Sequence, residues 1–131
     1  MSNNSIYSML FGNKDENETK IKEAAHELIN FLIFENGGII NHTDEKVKDL
    51  AQWLNVCMLR GIKNSHDSSE WTAYKKNSAE IAGNDGKIYK FSAFSGYKSG
   101  GSERWEEEEL TMICGDDPQI YKLYSSGYYM R

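Results

Sequence analysis

The chain has 131 residues, 39% hydrophobic and 27% charged, enough to bury a core without metal or disulfide staples. Its net charge of −5 is concentrated: residues 103–117 hold seven acids against Arg104 alone, a local −6, and the remainder nets +1. Without a basic stripe to release counterions, direct nucleic-acid binding is not expected, and no apolar run approaches the roughly 20 residues that span a bilayer.

Residues 1–14 read as a polar lead-in with one apolar knot, Ile6, Tyr7, Met9, Leu10 and Phe11, expected to dock on the domain. The start has neither a basic n-region nor a sustained apolar h-region, so no secretory leader is expected and a cytoplasmic, reducing setting is. Cys57 and Cys114 are accordingly expected to be reduced, buried, small hydrophobes. A first helix is predicted over 15–35, with acids Asp15, Glu16 and Glu18 in its first turn. Ile21, Ala24, Ala25, Leu28, Ile29, Leu32 and Ile33 repeat at three and four and give one buried stripe. Asn36-Gly37-Gly38 stops it. A second helix is predicted over 43–60, N-capped by Thr43, with Val47, Leu50, Ala51, Leu54, Cys57 and Met58 inward and Gly61 as its stop. A short linker between the two makes a helical hairpin.

Near residue 70 the period changes from 3.6 to about 2. Strands are predicted at 71–75, 79–82 and 87–94. The last two form a hairpin that turns at Gly83-Asn84-Asp85-Gly86, whose residues tolerate the positive φ of tight turns. The strand 87–97 is expected to return along 104–114 through a loop at 98–102. Pairing Tyr89 with Met112 and Phe91 with Leu110 sets Tyr89, Phe91, Ala93, Leu110, Met112 and Cys114 on one face. A slip of one residue would break that face, so this register or one two residues away is favoured. Residues 104–114 are ambiguous: four consecutive glutamates favour helix, whereas Leu110-Thr111-Met112-Ile113-Cys114 reads as strand. A last strand is predicted at 120–124. The expected fold is one α+β domain over 1–131: lead-in (1–14), helical hairpin (15–61), and an antiparallel sheet (70–131), a β-meander of four to five strands.

No catalytic constellation is readable. His26, His42 and His66 fall in different elements with no metal-ligand spacing, so no metal or cofactor is expected. Cys57 lies on a buried helix face and Cys114 has acids nearby, both unfavourable to a thiolate. Ser99-Gly100-Gly101-Ser102 lacks the lysine and helix of a phosphate loop. What stands out is the acidic run Glu106, Glu107, Glu108 and Glu109, with Arg104, Trp105 and Tyr97 beside it and Asp116 and Asp117 beyond. A charge run is ordinarily a solvated face that protects a strand edge. Here the acids adjoin Trp, Tyr and Arg, the residue types that anchor interfaces.

In size and charge the chain resembles phage-encoded inhibitors of host defences and bacterial immunity proteins, a likeness of bulk properties that carries no residues across. It implies a small protein-binding inhibitor or immunity-type module rather than an enzyme. The expected partner is a protein with a basic surface, such as one that handles nucleic acid, met through Tyr97, Arg104, Trp105, Glu106–Glu109, Asp116 and Asp117. The alternative is a small-ligand binder that sequesters a nucleotide signal between helices and sheet, with a small enzyme as a third class.

Overall fold

The computed structural model describes residues 14–35, 44–66 and 71–130, with only the backbone for positions 14, 15, 35 and 128–130. The apolar knot of the lead-in, the Asn36-Gly37-Gly38 stop, Thr43 and His42 lie outside the described residues. Helix α1 (Lys14–Asn30) runs on into a π-helical turn, Phe31–Glu35, so the helix expected over 15–35 is present with a widened last turn. Helix α2 spans Glu45–Leu59. Its cap is Asp44 rather than the expected Thr43: the Asp44 carboxylate accepts the N–H groups of Lys46 at 2.8 Å and Val47 at 3.2 Å. That satisfies two of the donors every helix start leaves without a partner. Gly61, at φ +81°, ends the helix as expected.

Four strands follow: β1 (Ala73–Ala82), β2 (Ile88–Gly100), β3 (Glu103–Cys114) and β4 (Ile120–Met130). They form one antiparallel meander in the order β1-β2-β3-β4, which makes the domain α+β. β1 joins the two strands expected at 71–75 and 79–82. The polar link Lys76-Asn77-Ser78 continues the strand because Asn77 is tied down, its Nδ2 donating to the Met58 carbonyl at the end of α2 (2.8 Å). The expected turn is present: Gly83 N–H donates to the Lys87 carbonyl at 2.8 Å, and Gly86 takes φ +83°.

The β2–β3 register is two residues from the Tyr89–Met112 pairing, the alternative that keeps the same face. Tyr89 pairs with Cys114, Phe91 with Met112 and Ala93 with Leu110. The shift follows from the turn, because β2 and β3 extend to the Gly100–Glu103 pair and leave only Gly101-Ser102 between them. Gly101 (φ +60°) supplies the left-handed conformation so short a link needs. The glutamates are therefore strand throughout, helix propensity yielding to a ladder paired on both sides. In β4 a bulge opposite Leu110 and Thr111 leaves Leu123 as the extra residue. Leu123 is fully buried and Tyr124 also packs on the core.

The core lies between the helices and one face of the sheet. Leu28, Ile29, Leu54 and Met58 meet Phe91, Leu110, Met112 and Leu123, all under 2% exposed. A strand of 13 residues runs about 43 Å and a 15-residue helix about 22 Å, so the helices cannot cover the whole inner face. Inward positions are apolar up to Ala93 on β2 and Leu110 on β3, then become Ser95, Tyr97, Glu108 and Glu106. Among the described residues, no helix is long and apolar enough to cross a membrane.

Candidate functional site

Strand alternation decides where each site residue predicted from the sequence goes. From the buried Leu110, the even positions of β3 continue on the inner face: Glu108, Glu106 and Arg104. The odd positions, Trp105, Glu107 and Glu109, face outward. The acidic run is thus two half-patches on opposite faces of one sheet. On the inner face the cross-strand rows are Lys75–Ser95–Glu108–Ser126 and Ala73–Tyr97–Glu106. Arg104 stands 4.6 Å from the Tyr97 ring centroid and pairs with Glu106 at 2.7 Å, so Tyr97, Arg104 and Glu106 do form one cluster. On the outer face the Trp105 indole N–H donates to Glu107 at 3.3 Å, and Lys122 pairs with Glu109 at 3.2 Å.

Asp116 and Asp117 are not brought to this group. They lie in the β3–β4 turn, past the end of β3 at Cys114, which is about 26 Å along the strand from Glu106. There Asp117 accepts the Gln119 N–H at 2.9 Å and the Tyr121 hydroxyl at 3.1 Å, which pushes the Tyr121 phenol above its usual range.

Of the four glutamates, Glu107 and Glu108 have no cation within ion-pair distance among the described residues, and of these two Glu108 is the one on the inner face. Its field reaches inward, since the Tyr124 phenol is held above its ordinary value by burial and then by the charge of Glu108. Two adjoining hollows share Lys75, Ser95 and Glu108 as walls. One, of about 250 Å³, also has Tyr97, Glu106 and Ser126; the other, of about 260 Å³, runs under the end of α2, where Asn55, Leu59 and Arg60 line it. Asn55 is fully buried, and its Nδ2 makes only a long bond of 3.4 Å to the Phe94 carbonyl. Its Oδ1 has no hydrogen-bond partner among the described residues. An acceptor left so costs about 1–3 kcal/mol.

Sequence reasoning did not single out Asn55, Lys75, Ser95 or Ser126. Asn55 had a readable signal, because it stands four residues after Ala51 and three before Met58, a polar residue on the buried stripe. The outer face carries an aromatic group that was also missed. Phe94 packs edge-on to Trp71 (5.2 Å) and stacked with Tyr74 (6.1 Å), with Lys98 5.0 Å from the Trp71 ring.

The remaining chemistry-bearing side chains are engaged structurally. His26 bonds the Ala82 carbonyl at 3.0 Å and His66 the Thr72 carbonyl at 2.7 Å. Among the described residues no group of three potential metal ligands occurs. Both cysteines are free; Cys57 is buried, which pushes its thiol up, whereas Cys114 is only half-buried, less than expected, because it sits where β3 leaves the core. For the small-ligand alternative, the cleft between α1, α2 and β1 measures about 400 Å³ and is lined by Ile21, Met58, Ala79 and Ile81 among others.

Fold and site together define a small α+β protein whose sheet outruns its helices and carries its acids at the uncovered end. Compared with known protein families, curated proteins and solved structures, the chain matches none.

Proposed function

We propose that this protein is a binding module of the inhibitor or immunity type, and that the uncovered half of its sheet docks a protein with a basic surface. The observation that carries the reading is the position of the charge. The local −6 of residues 103–117 has its dense part, Glu106–Glu109, on strand positions at and past the end of α2, beside the half-buried aromatics Tyr97 and Trp105. Acids of one sign steer a basic partner and speed encounter, while aromatic and arginine side chains supply the contact area that charge does not. A host or defence protein that handles nucleic acid has a groove of the required sign, and it is the kind of target that inhibitors encoded by phages or mobile elements meet. Asp116 and Asp117, beyond the end of β3 and more than one Debye length of about 10 Å from Glu109 in 0.1 M salt, add to the overall field and not to the contact.

Capture from a lysate of the native source tests the reading, with mass spectrometry of proteins and small molecules. The expected result is a basic protein retained by the wild type, released by raised salt, and lost by the Glu106→Lys, Glu107→Lys, Glu108→Lys variant. Equal retention by wild type and variant would sink the proposal. So would recovery of a nucleotide in place of a protein.

A further inference from the structure

We infer that the hollow between the end of α2 and the inner face of β2 and β3 takes a guanidinium group, the side chain of an arginine on the basic partner. The inference rests on the docking reading above and gives it a chemistry. Three independent features of the hollow ask for hydrogen-bond donors carrying positive charge. Asn55 lines it, fully buried, with an Oδ1 that has no partner, although buried acceptors are nearly always paired. Glu108 forms the opposite wall and, unlike Glu106 with Arg104 or Glu109 with Lys122, has no cation within ion-pair distance among the described residues. The last turn of α2, with Asn55, Val56 and Leu59, forms the remaining wall, and a helix C-terminus carries partial negative charge.

Ser95 and Ser126 add hydroxyl oxygens along the same row. A guanidinium brings five donors in a planar fork, enough to meet a carboxylate and an amide oxygen together; an ammonium brings three from a point. At about 250–260 Å³ each, the two hollows fall below the roughly 300–1,000 Å³ of drug-sized clefts and suit one long side chain. Two cations of the chain itself stand at the walls. The Arg60 guanidinium lies over the Trp53 ring, at 5.9 Å. Lys75, on a flexible stem, is the wall that swings aside when a donor reaches Asn55, and so it competes with the ligand.

The test is a titration of the full chain with Nα-acetyl-arginine methylamide, whose only charge is the guanidinium, followed by amide NMR. The citrulline analogue, of nearly the same shape and uncharged, is the control. Expected are saturable shifts at the Asn55 side-chain amide, Ser95, Glu108 and Ser126 that citrulline does not produce. Glu108→Gln should weaken binding by about tenfold, as loss of a charge-assisted bond does. Lys75→Ala should tighten it, by roughly threefold, through removal of a like charge. Shifts that do not saturate, that citrulline reproduces, or that ignore Glu108→Gln would overturn the inference. So would weaker binding in Lys75→Ala, since Lys75 would then be helping to hold the probe and not competing with its charge. Failure of the probe while salt-sensitive capture of a basic protein persists removes the guanidinium site alone. Failure of both removes the docking reading as well.

Discussion

The two halves of the sheet share the same strands and one continuous β2–β3 register, yet differ in what covers them. In the half under the helices, Tyr89, Phe91, Ala93, Leu110 and Met112 are at most 5% exposed. One step further along the same strands and on the same face, Ser95, Tyr97, Glu106 and Glu108 are only half-buried. The backbone ladder continues unchanged through both. The covered half is therefore held by apolar burial, and the other half is held in place by the hairpin that extends from it. That division frees the far half, of which only the Ser95–Glu108 row meets the end of α2, to carry a residue set that the packed core could not hold.

The sharpest way to break this comparison is to truncate one aromatic in each half. Phe91→Ala should cost about 3–5 kcal/mol, the transfer of a full side chain plus the cavity it leaves. Tyr97→Ala, half-buried beyond the core, should cost well under half of that; similar losses in urea unfolding would show that the two halves are one core. Next in size is Gly96→Ala. An added Cβ would stand 2.9 Å from Phe94 Cζ and 3.0 Å from the Ala73 carbonyl oxygen and Tyr74 Cβ. Overpacking of that kind costs about 1–3 kcal/mol, and a fully stable variant by thermal melting would refute the close packing of the outer face.

A smaller effect belongs to the covered half's own turn, where the Tyr89 hydroxyl donates to Asp85 at 2.6 Å. That bond holds the Asp85 carboxyl below its usual range, while burial and then the same bond push the Tyr89 phenol up. The depressed Asp85 stabilises fully above the ordinary carboxylate value of about 3.9, and its contribution disappears as pH falls through the lower folded value. The raised Tyr89 stabilises fully below about 10 and its contribution disappears as pH climbs beyond. Stability measured against pH should thus sag at both ends. Asp85→Asn should flatten the acid limb and Tyr89→Phe the alkaline one; unchanged limbs would mean the bond is not formed. Smallest of all should be the stability effect of Glu108→Gln, within about 0.5 kcal/mol, because a half-buried carboxylate without a cation partner holds nothing together. A larger loss in denaturant unfolding would give Glu108 a structural role.

Much of this architecture was legible in the chain. The helical stripes of Ala24–Leu32 and Val47–Met58, the Gly83–Gly86 turn and the apolar face from Tyr89 to Cys114 all follow from period and turn chemistry. Four features were not, each for a reason. A two-residue link at Gly101-Ser102 and a five-residue loop over the same residues have the same composition, so the register was known only to within two. The Leu123 bulge depends on partner geometry that no local pattern encodes. The acidic run looked like one patch because a sequence has no faces; only once 103–109 is known to be strand does alternation send Glu106 and Glu108 one way and Glu107 and Glu109 the other. The hollow by Asn55 needed three elements to meet, and Asn55 itself was the only trace of it in the sequence.

The central claim is that the uncovered, acidic half of the sheet is the docking surface, with its inner face in contact. Association rates with the captured basic protein, measured across ionic strength, test this most directly. They should be taken for the wild type, for Glu106→Lys with Glu108→Lys, and for Glu107→Lys with Glu109→Lys. The account predicts a wild-type rate that falls steeply with salt, an inner-face pair that is slow and nearly flat, and an outer-face pair that keeps much of the wild-type slope. An inner-face pair that keeps the wild-type rate and slope would contradict it.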